Sequence, residues 1–205
     1  METREKYEEN ITNRSYLRYL AGYLIRWRNH LKFQKAVRIA RKNGATIGEG
    51  VIMPIEFAKH LNANVTIGDH VSIHTTKFYP CGPRKVRIGN HVIIGDDVEF
   101  IFGGHNLNSE DWESQFPKRD FVIEDYVWLS PHCIVTPSCA KIGRGAVALT
   151  GSVLFHNVKE LTIMHGNPAT VLGERKEVHS KLVVETLLGG DFLMYKKLWR
   201  ERKKK

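Results

Sequence analysis

An aliphatic residue returns about every six positions through residues 122–153, VIEDYVWLSPHCIVTPSCAKIGRGAVALTGSV. The same phrase appears upstream as Ile47-Gly48-Glu49, Ile67-Gly68-Asp69, Ile88-Gly89-Asn90 and Ile94-Gly95-Asp96. A helix needs a period of 3.6 and a half-buried strand a period of 2. A period of six fits a short strand followed by a sharp corner, repeated, which is the pattern of a parallel β-helix built from hexapeptides. The aliphatic residue points into a narrow prism and stacks on its equivalent one coil away. Gly, Asn and Asp tolerate the left-handed backbone that tight corners need. Each coil pairs only with its neighbours, so both ends need caps.

The repeat body is expected over residues 44–173, with two interruptions. Residues 74–85 (HTTKFYPCGPRK) bring two prolines and a glycine, and residues 101–121 break the period more heavily. An N-terminal helical segment is expected at 1–43. The helix runs over residues 4–42, with Tyr16, Leu20, Tyr23, Leu24, Trp27 and Leu31 as an apolar stripe and Asn43-Gly44 as its stop. A C-terminal helical tail is expected at 174–205, with helices over 177–188 and 192–202 split by Gly189-Gly190. The flanking helices can serve as caps, and the stripe is expected to pack on the body or on a neighbouring subunit.

Charge divides the chain in the same way. Residues 1–43 hold 11 Lys/Arg and 4 Glu, and residues 174–205 hold 10 Lys/Arg and 5 acids, whereas residues 44–173 hold 10 Lys/Arg and 13 acids. An acidic body argues against nucleic acid as a partner. Basic flanks suit solvated helix faces with a frayed KKK tail or, as the rival, peripheral contact with an anionic membrane or lipid-linked glycan. No apolar run approaches the ~20 residues that span a bilayer, and no signal core opens the chain. Cys81, Cys133 and Cys139 show no metal or redox spacing, which places the protein in a reducing, cytoplasmic compartment, with contact at the inner face of the membrane as an option.

The second half resembles the hexapeptide-repeat acyltransferases, in the branch with maltose, galactoside, xenobiotic and polysaccharide acetyltransferases. Ile123-Glu124-Asp125-Tyr126-Val127-Trp128-Leu129 and Ile142-Gly143-Arg144-Gly145-Ala146-Val147 carry the first part of the likeness. Gly166-Asn167-Pro168-Ala169, followed by Val171-Leu172-Gly173-Glu174-Arg175, looks like the family's closing phrase. The resemblance covers residues 45–176. It implies a mainly β fold, a left-handed parallel β-helix with helical flanks, assembled as a homotrimer with acyl-CoA between adjacent prisms.

The resemblance also implies a catalytic histidine in the loop that interrupts the repeat, and His105 in Gly103-Gly104-His105-Asn106 holds that place. His is the side chain best suited to take a proton near neutral pH. The implied reaction is direct transfer from acetyl-CoA, without a covalent acyl-enzyme and without a metal. Trp128 and Pro131 match the coil that lines the pantetheine tunnel. Thr150, Phe155 and His156 match later cofactor-contacting positions. Arg175 is placed to meet a CoA phosphate, with Lys141 and Arg144 as alternatives. The carboxylate that orients the family's histidine has no counterpart; its place falls near Phe116, and Glu110, Asp111 or Glu113 are substitutes.

The acceptor is expected to be a carbohydrate or nucleotide-linked sugar of surface-polysaccharide synthesis, acetylated on oxygen. N-acylation of an amino sugar is the close alternative and an antibiotic acceptor the third. From other classes, a zinc enzyme on this fold would need three His ligands at a spacing that His70, His74, His91, His105 and His132 do not give. A non-catalytic β-helix scaffold would need neither the His-bearing loop nor the closing phrase.

Overall fold

The computed structural model describes residues 3–202; the three terminal lysines expected to fray lie outside the described residues. The repeat winds through three parallel sheets in rotation. The first face holds β1 (Thr46–Ile47), β2 (Val65–Ile67), β4 (Val86–Ile88), β9 (Phe121–Ile123) and β12 (Lys141–Ile142). The second holds β3 (Ser72–Ile73), β5 (Ile93–Ile94), β10 (Trp128–Leu129), β13 (Val147–Ala148) and β15 (Thr162–His165), with β16 (Thr170–Glu174) antiparallel at its edge. The third holds β6 (Glu99–Phe100), β11 (Ile134–Val135) and β14 (Val153–Leu154).

Register explains the sequence phrase. Ile47, Ile67, Ile88, Ile123 and Ile142 pair in one column down the first face, all buried. On the second face the column is Ile73, Ile94, Leu129, Ala148 and Met164. Each inward residue therefore packs on the one that follows it a coil later, and its burial is worth roughly 1.5–3 kcal/mol for a large aliphatic side chain.

The glycine and Asx of the phrase form the corner between the first and second faces. Glu49 N–H donates to Asp69 Oδ1 (2.7 Å), Asp69 N–H to Asn90 Oδ1 (2.8 Å) and Asn90 N–H to Asp125 Oδ1 (2.7 Å). The acceptor always comes from the following coil, and it occupies the space where a Cβ on the preceding glycine would stand: such an atom on Gly89 would lie 2.4 Å from Asp125 Oδ1. Arg144 ends this ladder because it carries no acceptor. Glu124, where the phrase otherwise has Gly, supplies one from the opposite direction and accepts from Arg144 N–H at 2.8 Å.

Two sequence expectations about the flanking helices are corrected. The N-terminal helix is two: α1 (Arg4–Thr12) and α2 (Tyr16–Lys42), separated because Ser15 is extended and caps α2 by accepting from Arg18 N–H. The 177–188 helix reduces to a 3₁₀ turn, Val184–Leu188, ended by left-handed Gly189. The expected interruption at residues 74–85 widens a coil, within which Phe78 bridges Phe100 on the third face. In the first coil that slot is filled by a short helix, α3 (Ile55–Lys59), whose Phe57 lies 4.7 Å from the Phe78 ring. The expected C-terminal helix is present as α4 (Phe192–Glu201).

The cap is built by the second half of α2, whose Ala36, Val37 and Ala40 join the prism core. The first half packs against α4: Tyr19 stacks on Trp199 (4.0 Å) and Tyr195 (5.2 Å). Gly22 permits this approach, because a Cβ there would sit 2.5 Å from Tyr195 Oη. Buried Asp191 is held by Arg26 at 2.9 Å and by the Tyr7 hydroxyl. Of the expected stripe, Tyr23 turns inward and lies 5.1 Å from the Phe192 ring, whereas Tyr16, Leu20, Leu24, Trp27 and Leu31 face away and are exposed. Among the described residues these five do not pack on the body, because the face bearing Tyr19 and Gly22 takes that role.

Candidate active site

The chain leaves the third face after β6 and returns at β9, and between them it forms an antiparallel pair, β7 (Gly104–His105) with β8 (Ser114–Gln115). The turn closes on itself: Asn106 N–H donates to Glu113 O (2.8 Å) and Glu113 N–H to Ser109 Oγ (2.8 Å). Phe116 packs over Gly103, where a Cβ would lie 2.7 Å from its ring, and over Gly82 of the widened coil. Below the loop, buried Arg84 spans its two roots, with its guanidinium 5.8 Å from the Phe102 ring and 5.5 Å from the Phe121 ring. The loop is therefore tied down at both ends while His105 stays exposed.

The His105 ring is oriented by a backbone carbonyl. Its Nδ1 lies within hydrogen-bond reach of Trp112 O. A carbonyl can only accept, so in the neutral ring Nδ1 carries the proton and the lone pair is on Nε2. That is the tautomer a general base needs. None of Glu110, Asp111 or Glu113 pairs with the ring among the described residues, so the expected substitute carboxylate is replaced by the Trp112 carbonyl. No side-chain code could have revealed a main-chain acceptor; Trp112 has φ 54°, the backbone signature of the turn that presents it.

A groove of about 270 Å³ lies against the second face and contains Trp128 and Arg175 together with His91, Tyr126, Leu149 and His179. Arg175 is anchored by donating from Nη1 to Gly145 O at 2.8 Å. The wall residues His91 and Tyr126 belong to a column of stacked rings in left-handed backbone positions: His70 on His91 (5.1 Å) and His91 on Tyr126 (4.9 Å). Glu185 meets His70 at one end, and the Arg144 guanidinium lies 5.3 Å from the Tyr126 ring at the other. Burial, followed by the neighbouring His70, lowers the pKa of His91. Lys141, by contrast, pairs with Glu124 at 2.7 Å. The sequence reading missed His91 and His179 as walls; His91 shares the corner register of Tyr126, which was the available signal.

The other proposed cofactor contacts lie elsewhere. Pro131 and exposed Thr150 sit at the corner between the second and third faces, where Gly151 N–H donates to Pro131 O at 3.2 Å. Exposed Phe155 and His156 sit at the corner after the third face, the corner from which the His105 loop emerges; Phe155 O accepts from Ser138 Oγ at 2.6 Å. One chain thus joins Trp128 with Arg175 and leaves the remaining positions on two further corners.

Cys133 and Cys139 are buried in the prism, and desolvation raises both thiol pKa values, that of Cys139 to about 11. Such thiols are poor nucleophiles at neutral pH. His74 is nearly buried against Ser72 Oγ (2.8 Å), and His132 lies 3.9 Å from Asp97. No group of three or more metal-ligating side chains occurs among the described residues.

No family model matches the chain. It is 26% identical over 152 residues to the putative colanic acid biosynthesis acetyltransferase WcaF of Escherichia coli, covering 74% of this chain and 81% of that protein. A chloramphenicol acetyltransferase of Klebsiella aerogenes is 30% identical over 110 residues, covering 44% of this chain and 52% of that one. Among solved structures, a hexapeptide-repeat acetyltransferase from Vibrio cholerae shares the fold, with a TM-score of 0.50 and 22% identity over 78% of this chain and 94% of that one. All three are named as acetyltransferases, and the solved structure as a hexapeptide-repeat one, in agreement with the resemblance read from the sequence.

Proposed function

We propose that this chain is an acyl-CoA-dependent acetyltransferase that moves the acetyl group of acetyl-CoA directly onto a hydroxyl of a sugar in surface-polysaccharide synthesis. The observation that carries the reading is the His105 ring, held by the Trp112 carbonyl in the tautomer that frees Nε2, on the loop where the repeat is broken. Nε2 takes the proton from the acceptor hydroxyl, and the oxygen attacks the thioester carbonyl. The tetrahedral intermediate then collapses, the C–S bond breaks, and the leaving thiolate takes the proton back from the imidazolium. Acetyl-CoA is the only cofactor in this scheme, and no metal takes part.

The groove with Trp128 and Arg175 is the assigned place for the cofactor, with Arg175 on a phosphate. The positions around Pro131, Thr150, Phe155 and His156 lie on other corners and would complete the site from a neighbouring copy. We therefore infer a homotrimer and, from the resemblance, a left-handed coil. Mass in solution is expected at about three times 23.5 kDa, on the assumption of closed cyclic symmetry. A fully active monomer would contradict the shared site. A polysaccharide sugar is favoured because WcaF, which the chain matches along most of both lengths, is named for colanic acid biosynthesis. The supply of acetyl-CoA puts the reaction in the cytoplasm.

The test is release of free thiol from acetyl-CoA against a panel of glycans, nucleotide sugars, amino sugars and antibiotics. Rapid release with hydroxyl-bearing sugars is the expected result. Release only with amino sugars would move the reaction to nitrogen. Absence of release with every acceptor, together with absence of CoA binding in calorimetry, would leave a scaffold.

A further inference from the structure

The first half of α2 presents an apolar surface that nothing among the described residues covers. Leu17, Leu20, Leu24, Trp27 and Leu31 recur at spacings of three and four, with Tyr16 beside them, and each is between 41% and 78% exposed. The opposite face is spent on Tyr195 and Trp199, so the helix cannot roll to bury the stripe without breaking that stack. The charge around the stripe has one sign. Residues 16–42 contain eight Lys/Arg and no Asp or Glu. Arg26 is committed to Asp191, but exposed Arg18, Arg28, Lys32 and Lys35 form no ion pair among the described residues. No helix of the described chain is long and apolar enough to cross a membrane.

An exposed stripe with an aromatic at each end, bordered by unpaired cations, is the surface of a helix that lies in a lipid interface. A second copy of α2 laid on the stripe would set like charge against like, because residues 16–42 offer no carboxylate to pair the cations. We propose that this face of α2 docks the protein on an anionic lipid surface, with Leu20, Leu24 and Trp27 entering the headgroup boundary and Arg28, Lys32 and Lys35 meeting phosphates. The surface lies at the first-coil end of the prism, where α2 caps the repeat. The proposal does not rest on acetyl transfer, and its test uses no acetyl-CoA.

The full chain is sedimented with vesicles of phosphatidylcholine alone and with vesicles in which a third of the lipid is phosphatidylglycerol. It is expected to sediment with the anionic vesicles only, and to be released as salt rises, because surface charges are screened within about 8 Å at physiological ionic strength. Arg28→Gln and Lys32→Gln should each lower the partition coefficient about fivefold, the equivalent of ~1 kcal/mol per charge. Leu24→Gln with Trp27→Gln should abolish binding and remove the blue shift of tryptophan emission on vesicle addition. These side chains are exposed, so melting temperature should hold in all variants. Equal binding to both vesicle types, or binding to neither, overturns the proposal. So does a fall in assembly mass in the Leu24/Trp27 variant without any lipid preference in the parent, which would assign the stripe to a contact between copies.

Discussion

Along the corner between the first and second faces, one side-chain contact recurs in the same register from coil to coil; along the corner between the third and first faces, the side-chain contacts change from coil to coil. The first corner bonds Glu49 to Asp69, Asp69 to Asn90 and Asn90 to Asp125, each through the same atoms. The other corner is made in turn by Asp120 accepting from Lys85 N–H, by the His105 loop, by Thr136 and Ser138, and by Asn157 accepting from Ala140 and Lys141 N–H. A repeated contact fixes residue identity, since each position must serve the coils on both sides. Where that demand lapses, the chain can spend residues on a loop that leaves the prism and holds a side chain in solvent. The recurrent contacts and the exposed His105 thus lie at different corners.

The widest separation between the two should appear in His105→Ala. Turnover is expected to fall by about 10²–10⁴, the usual contribution of one general base, while the melting temperature stays put because the side chain is exposed and anchored only to its own turn. Near-normal turnover in the purified variant would remove His105 from the mechanism. Unfolding would break the comparison instead, by showing that the loop supports the prism.

The same substitution made at both corners gives the next largest contrast. Gly89→Ala puts a methyl 2.4 Å from Asp125 Oδ1 and 2.8 Å from Asp125 N, with rigid backbone behind. Relief requires the coils to part, at a cost of ~1–3 kcal/mol. Gly104→Ala, in the loop, meets nothing within 4 Å. Urea titration should show a lower midpoint for the first and an unchanged midpoint for the second. Equal effects would mean that the ladder is no more constrained than the loop.

The repeated corner is also the part that was legible in the sequence. Ile47-Gly48, Ile67-Gly68 and Ile88-Gly89 announce both the inward column and the crowded corner, because stacking forces the same solution each time. The loop could be located only by where the pattern stopped. His105 could be singled out as a candidate from chemistry and place, but the group its ring meets is a carbonyl, which every residue carries. The other misreadings have similar causes. A single turn such as α3 is too short for its period to register. The apolar spacing of residues 177–188 imitates a helix, although only Val184–Leu188 turns before Gly189 ends it. Periodicity found the stripe on α2 but could not say which face the chain would bury, since Tyr19 and Gly22 were not part of the stripe and prove to be the packing face.

A smaller effect should tie acid sensitivity to the coils. His74 begins the widened coil, nearly buried against Ser72 Oγ, and desolvation lowers its pKa from the ordinary 6.5 despite the opposing pull of Asp96. His91, in the stacked column, is lowered by burial and by His70, against Glu185, Asp125 and Asp69. In the unfolded chain both titrate near 6.5. A folded pKa below the unfolded one means that the native state favours the neutral ring. The stability this contributes is present above about pH 6.5 and is lost as pH falls through the lowered folded value. Melting temperature should therefore decline on acidification below that point. His74→Gln keeps a hydrogen-bonding group near Ser72 but cannot take up a proton, so it should flatten part of the decline, by less than the Gly89→Ala loss. An unchanged acid limb in this variant would take His74 out of the account and leave the decline to His91 and the column it stacks in.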